Sequence, residues 1–508
     1  MTAAPVWSVD PRTGKHREQV AVEATADEVD AAVREAYAAR DALADRAVRA
    51  AFLREAATGL EAVSALLIEV ADAESALGPV RLTGELARTA YQLRAFADLV
   101  DEGAFLDVVI DHPDPAATPP VPDLRRWKIP LGVVAVYAAS NFPFAFSVAG
   151  GDTASALAAG CPVVVKAHPD HPALSELVAK VLRRAATAHG LPAGVVGLVH
   201  GFTAGVDLIK HPLVAAAGFT GSVRGGRALF DAAAARPVPI PFHGELGSLN
   251  PVVVTEDAAA ERAQDIGAGL AASMTLGVGQ FCVKPGLVLV PSGAHGDGLV
   301  KALMDAVSDS EPGVLLDHRM RDAFLAGVGE RTALPEVDSP VTPGAAGAHT
   351  VSAGFLTVPA ARLTEGAHAA LLEECFGPVT VVARYTGEDE LTAVLERLPG
   401  SLTATVQLSP AEAAGEGDAA ALLARLTPLA GRVLVDGWPT GVAVAPAQHH
   451  GGPYPATTST STSVGGTAVE RWLRPVAYQN TPEPLLPPEL RDDNPLRLPR
   501  RYDGVLER

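Results

Sequence analysis

From Val133 onward the chain alternates short β-branched runs with helical segments, and this alternation constrains the fold more than any other feature. Val133 to Tyr137, Val163 to Val165, Val195 to Val199 and Ala215 to Phe219 read as strands. Ala154 to Ala159, Leu174 to Ala188 and Val206 to Ile209 read as the helices between them. Strands that are apolar throughout must be covered on both faces, so the pattern predicts a parallel sheet between two helical layers. A nucleotide binds such a sheet at the carboxyl ends of its strands. A second series starts at Val252 and runs through Leu287 to Val290, Val379 to Val382 and Val433 to Val435. The break between the two series falls near Glu245 to Pro251.

Upstream of Val133 the chain reads as helical. Thr25-Ala-Asp-Glu28 has the form of a capping box, with Val29, Ala32, Val33 and Ala36 following at helical spacing. Alanine-rich amphipathic segments continue to about Val100, until the Pro-rich stretch Pro113 to Pro122 breaks the pattern. Leu131 to Gly151 carries no charge and is long enough to span a bilayer. Ser140-Asn-Phe-Pro143 interrupts it, so a buried strand leading into a loop is the better reading. From Pro482 the chain is Pro-rich and charged, either an arm or a frayed tail. Thr457 to Ser463 reads as a solvated loop by composition.

With 508 residues, 48% of them apolar, two or three domains are expected. Forty Lys and Arg against 59 Asp and Glu leave a net charge of −19. Such a surface repels phosphates and argues against nucleic acid or an anionic membrane as partner. Three cysteines cannot form a disulfide framework, and none has zinc spacing. Met1 to Val20 lacks an apolar signal core, so a cytoplasmic protein is expected.

The chemistry-bearing candidates are dispersed. No Walker loop occurs, and no G-x-G-x-x-G follows a predicted strand. Phe219-Thr-Gly-Ser222-Val-Arg-Gly-Gly226 does follow one and opens a helix, a place where backbone N–H groups and the helix dipole can hold a phosphate. Cys282, in Gly279-Gln-Phe-Cys282, has Gly277, Gly279 and Pro285 around it, which favours an exposed loop over a buried structural thiol. Glu245 sits between glycines, where a carboxylate can approach a ligand closely. Asn141 puts an amide at the end of an apolar strand, and Lys166 ends the strand Val163-Val-Val. His449-His450 suggests metal, but no third ligand stands at convincing spacing, so no metal is expected.

Taken in order, Asn141, Lys166, the Phe219 to Gly226 turn, Glu245, Cys282 and Glu373-Glu374-Cys-Phe-Gly-Pro378 resemble the aldehyde dehydrogenase superfamily, over about Pro5 to Asn480. The branch of NADP-dependent 2,5-dioxopentanoate (α-ketoglutarate semialdehyde) and fatty aldehyde dehydrogenases is suggested by Ala139-Ser-Asn-Phe-Pro-Phe-Ala-Phe-Ser, Lys166-Ala-His-Pro and Gly244-Glu-Leu-Gly-Ser-Leu-Asn-Pro. Gly279-Gln-Phe-Cys-Val-Lys-Pro-Gly-Leu and His450-Gly-Gly-Pro-Tyr-Pro-Ala-Thr-Thr point the same way.

The resemblance implies an α/β fold of two doubly wound open-sheet domains with a small β oligomerisation element. Residues 5–116 and 129–241 would form the cofactor domain and 242–452 the catalytic domain. Residues 117–128 and 470–495 would form oligomerisation strands and an arm, giving a homodimer or homotetramer. It implies that Cys282 is the nucleophile, that Asn141 and the Cys282 N–H steady the oxyanion, and that Glu245 activates the hydrolytic water. For that task the Glu245 pKa is expected above its ordinary value. Lys166, with His168 beside it, would contact the adenosine ribose. Phe219, Gly221 and Ser222 would meet the pyrophosphate, Glu374 the nicotinamide ribose, and Phe376 would pack near the ring. Many NAD-preferring relatives have a Glu three residues after the strand-end Lys. Here that residue is Pro169, which favours NADP while leaving NAD possible. The second basic residue of some NADP enzymes is not evident in Gly201 to Gly205. The expected substrate is an aldehyde, with 2,5-dioxopentanoate the best guess and Arg88, Arg94 and Phe142 at its entrance. Aliphatic aldehyde oxidation and CoA-acylating chemistry are the alternatives.

Overall fold

The computed structural model describes residues 4–507. The first apolar series forms a five-stranded parallel sheet in the order Val196–Val199, Val163–Lys166, Val133–Tyr137, Val214–Thr220, Phe242–Glu245. Val133–Tyr137 is buried at every position. Val134 and Val136 join the core beneath the helices Arg46–Ala62, Pro79–Glu102 and Pro172–Ala188. Val133, Ala135 and Tyr137 join the core on the other face. Each such valine contributes about 1.5–3 kcal/mol on burial, which is why this strand tolerates no polar residue. The candidate membrane stretch is therefore this strand and its loop, and among the described residues no helix is long and apolar enough to cross a membrane.

The chain order reverses at this central strand: later strands add first on one side and then on the other. A crevice therefore opens at the carboxyl ends, beside Tyr137 and Phe219.

The second series forms a seven-stranded sheet, ordered Asp338–Val341, Gly354–Pro359, Val379–Tyr385, Leu287–Pro291, Val252–Val254, Ser401–Gln407, Ala430–Val435. All its pairings are parallel except the antiparallel edge strand Asp338–Val341. A third, five-stranded sheet joins Leu473–Gln479 to Leu124–Pro130, Val108–Asp111 and the C-terminal strands Arg500–Tyr502 and Val505–Glu507.

Two expectations are corrected, and of the two alternatives for the C-terminal segment one is excluded. The first described elements are not helices but an antiparallel hairpin, Pro5–Asp10 with Lys15–Val22. The capping box at Thr25 and Glu28 opens the first helix, Ala26–Ala39. The C-terminal segment is no frayed tail: Leu486, Leu490 and Leu498 are buried in the first core, and Arg125 binds Asp492. The Ser/Thr-rich loop is not fully solvated, because Thr457, Thr462 and Ser463 are buried against His450 and the last strand of the first sheet, Phe242–Glu245.

Candidate active site

The helix Glu256–Thr275 ends in a tight left-handed run, Gly277, Val278 and Gly279, with φ of 55°, 59° and 68°. A β-branched residue at positive φ costs on the order of 1–3 kcal/mol and survives only where its surroundings enforce it. The enforcement is visible. A Cβ on Gly279 would collide with the backbone of Gly377, so the Cys282 loop and the Glu374 to Pro378 loop lie backbone against backbone. Gln280 is buried, accepting from Leu316 N at 2.9 Å and donating to Gly277 O at 3.0 Å. Asn250 donates to the carbonyls of both Cys282 (2.8 Å) and Lys284 (3.0 Å). Lys284 itself points away from the thiol and donates to Val379 O.

Cys282 emerges half-buried at the inner end of a cavity of about 670 Å³. Asn141 is held there by donating to Gln280 O at 3.1 Å. Glu245 ends the last strand of the first sheet, and His450 arrives from far along the chain. His450 Nε2 lies 2.9 Å from Glu245 Oε1 and 3.6 Å from Cys282 Sγ. Ser463 Oγ donates to the other carboxylate oxygen at 2.7 Å.

These contacts overturn the expected direction for Glu245. Burial pushes its carboxyl up, but the His450 charge and the hydrogen bonds from His450, Ser463 and Cys282 outweigh it, and the pKa lies below its ordinary value. Burial and the facing Glu245 charge drive the Cys282 thiol well above its own. The resting pair is a thiol beside a carboxylate.

The outer cavity is lined by Lys166, His168, Phe202, Phe219, Gly221, Ser222, Glu374 and Phe376. Ser222 caps the helix Val223–Ala234 by accepting from Gly225 N at 3.2 Å. The remaining first-turn amides of that helix have no partner within it. Burial lowers the Lys166 pKa to about 8, so an anion that stabilised its cation would be welcome. Burial raises Glu374 to about 7, and a Cβ on Gly247 would stand 2.7 Å from its Oε2. An elongated cleft with a lysine at one end, a helix N-terminus midway and a carboxylate near the thiol fits a dinucleotide.

Of the three expected substrate residues, Arg88 reaches the inner chamber and Arg94 does not. Arg94 forms a two-point pair with Glu61 (2.6 Å each) on the exposed outer side of the helix Pro79–Glu102. Arg81, Glu85 and Arg88 share the inner side, at the spacing that puts residues on one helical face. Glu85 accepts from the amides of Phe144 (2.8 Å) and Ala145 (2.9 Å), which fixes the loop after Asn141. The Arg81 guanidinium lies 5.0 Å from the Phe142 ring and donates to Asn141 O. Phe142 also packs edge-on against Phe281 at 5.2 Å. Arg88 stands 5.6 Å over the Phe146 ring, donates through Nε to Val442 O, and has both terminal nitrogens buried without a partner.

His450, Ser463 and Asn250 were not singled out as functional by sequence reasoning. The His449-His450 pair and the glycines after it were the available signal, but the partners lie more than 160 residues away in the chain.

Fold and cleft together define an α/β oxidoreductase that takes a dinucleotide. Residues 2–416 match the aldehyde dehydrogenase family. The chain is 47% identical over 469 residues to alpha-ketoglutaric semialdehyde dehydrogenase 2 of Azospirillum brasilense, covering 91% of this chain and 88% of that one. It is 43% identical over 502 residues to the alpha-ketoglutaric semialdehyde dehydrogenase of Acinetobacter baylyi, covering 95% and 92%. The structure of PnpE in complex with nicotinamide adenine dinucleotide superposes with a TM-score of 0.79 at 21% identity, covering 94% of each chain. This protein belongs to the aldehyde dehydrogenase family: it is an NAD(P)-dependent oxidoreductase acting on aldehydes.

Proposed function

We propose that the enzyme oxidises 2,5-dioxopentanoate to 2-oxoglutarate, with NADP preferred. The observation that carries the substrate class is Arg88: a buried guanidinium with two unpartnered nitrogens beside the chamber of Cys282 calls for an anion. The distal carboxylate of a semialdehyde supplies it, and the two curated relatives are both named for such a substrate.

Cys282 attacks the aldehyde carbon, and its proton passes to the Glu245–His450 pair. Asn141 Nδ2 and the Cys282 N–H donate to the resulting oxyanion, each donor being worth about 2.7–4 kcal/mol of barrier. The bound dinucleotide supplies the hydride acceptor, and Lys166, Ser222 and Glu374 are the residues that would hold it. Loss of hydride leaves a thioester on Cys282. Glu245 then exchanges one of its two hydrogen bonds for a water and takes its proton as the water attacks the acyl carbon. Cys282 departs with the proton it first gave to the pair, the proton taken from water passes to solvent, and the acid leaves. His450 holds Glu245 and faces the sulfur in both half-reactions.

The cofactor preference rests on Pro169 and on a second cation that the sequence did not reveal. Arg319, from the helix His318–Thr332, reaches across the cavity mouth to Asp170 at 3.2 Å. Arg319 and Lys166 flank the same Phe202 ring, at 5.9 Å and 4.9 Å. A ribose 2′-phosphate would meet two cations at this end, but it would have to compete with the Asp317 and Asp170 carboxylates to which Arg319 is paired. Self-association is proposed to use Leu473–Gln479, the edge strand of the third sheet, whose outer side has no partner strand among the described residues.

The test is a panel of 2,5-dioxopentanoate, succinic semialdehyde and C6–C12 aldehydes, each with NAD and NADP. The reading requires the highest kcat/KM with 2,5-dioxopentanoate and NADP. A preference for the long aliphatic aldehydes would overturn the substrate assignment, and a preference for NAD the cofactor assignment.

A further inference from the structure

We infer that Cys282, His450 and Glu245 form a three-ligand site for a thiophilic tetrahedral cation, Zn2+ above all, and that its occupancy reversibly silences the enzyme by capturing the nucleophile. Sequence spacing gave His449-His450 no third ligand. The fold supplies two, for Sγ of Cys282, a ring nitrogen of His450 and a carboxylate oxygen of Glu245 all lie within 4.8 Å of one another.

The dimensions can be checked against zinc. Zn–S near 2.3 Å and Zn–N near 2.0–2.1 Å at a tetrahedral angle place sulfur and nitrogen about 3.5 Å apart. His450 Nε2 and Cys282 Sγ stand 3.6 Å apart, so this edge needs no adjustment. The nitrogen–oxygen edge of such a site is about 3.4 Å. Glu245 Oε1 now sits 2.9 Å from Nε2, so the carboxylate must open by about 0.5 Å to admit the ion. Ser463 grips the other oxygen, Oε2, and leaves Oε1 to His450.

Charge favours the ion as strongly as shape. A thiolate beside the Glu245 carboxylate in a buried chamber places two anions together, whereas Zn2+ neutralises both and releases the thiol proton to solvent. Of the three ligands Cys282 lines the cavity, which gives an ion a route to the sulfur. Two features limit affinity and make the site inhibitory, not structural. The Nδ1 of His450 is buried with no partner, so the second-shell acceptor that usually steadies a zinc-bound imidazole is missing. The ion must also replace the existing Glu245–His450 hydrogen bond.

The inference concerns geometry and stands whether or not the trio performs the chemistry proposed above, because binding is read directly. Metal-free enzyme is titrated with Zn2+ by calorimetry, with Co2+ to read the thiolate-to-metal absorption band, and with iodoacetamide labelling of Cys282 as an independent reporter. One ion per chain, a thiolate–Co2+ band, slowed labelling and full recovery by EDTA are expected. His450→Gln should weaken Zn2+ binding by about 100-fold, the upper end of what disturbing a metal's ligand environment costs. His449→Gln is the control and should leave Zn2+ affinity within about twofold. Because a variant can misfold, wild-type enzyme carbamidomethylated at Cys282 is titrated too, and it should bind no ion at this site. Equal Zn2+ affinity after carbamidomethylation or in His450→Gln overturns the inference, as does absence of binding to the unmodified enzyme.

Discussion

The cleft that faces the cofactor and the chamber that faces the aldehyde are built in opposite ways. One wall of the cleft grows from neighbouring strands of one sheet, with Tyr137, Lys166 and Phe219 at successive carboxyl ends and Ser222 immediately after, while Arg319, Glu374 and Phe376 face it from later in the chain. The chamber is gathered from five separated segments: Arg88, Asn141, Glu245, Cys282, and the pair His450 and Ser463. A topology can place the first without side-chain detail. The second depends on individual hydrogen bonds, so single substitutions there should be more selective in what they destroy.

The sharpest test of that contrast is Cys282→Ala. Aldehyde oxidation should fall by at least about 10⁴-fold, while the dissociation constant for NADP stays close to wild type. Near-normal turnover would remove the thiol from the chemistry. Glu245→Gln should separate the two half-reactions next: steady-state turnover falls by about 10²- to 10³-fold, yet a rapid first hydride burst persists. Stopped-flow absorbance of the reduced cofactor reads both, and disappearance of the burst would argue that Glu245 also governs attack.

Arg88→Met should lower the ratio of kcat/KM for 2,5-dioxopentanoate over hexanal by about 10- to 100-fold, the worth of a hydrogen bond to a charged group. An unchanged ratio would move the distal carboxylate elsewhere. The smallest effect belongs to the cleft. Burial holds Glu374 near a pKa of about 7, so it is mostly a neutral acid at pH 6 and mostly a carboxylate at pH 8. If only the carboxylate accepts from the nicotinamide ribose, cofactor affinity should rise by about tenfold over that interval. In Glu374→Gln the profile should be flat, and a flat wild-type profile would dissociate this group from binding.

The same contrast explains what could be read from the sequence. Val133 to Tyr137, Val163 to Val165 and Val252 to Val254 announce themselves by unbroken apolar runs that suit complete burial, and Val379 to Val382 does so despite one buried threonine, Thr380. The strand Ser401–Gln407 passed unnoticed because its threonines are buried but polar, one of them, Thr403, donating to Asn250. Cys282, Glu245 and Asn141 were found through their glycine and proline neighbours and their order along the chain. His450 and Ser463 were not: one looked like half of a metal pair and the other like a solvated loop, and only tertiary closure brings them to Glu245. The direction of the Glu245 shift was misjudged for the same reason, since burial alone raises a carboxylate and the compensating partners were invisible. Arg94 was misplaced because helical periodicity says which residues share a side but not which side faces in.

The backbone contact between Gly279 and Gly377 ties the loop bearing the thiol to the loop bearing Glu374 and Phe376. A methyl group added at Gly377 would strike the Phe324 ring instead, whereas one added at Gly279 would push on both loops at once. Such a lesion would therefore show two symptoms, poorer cofactor retention and slower acyl formation, and a second change that relieved one should relieve the other. The two halves of the reaction thus share a single mechanical seam, and neither can drift in evolution without carrying its counterpart along.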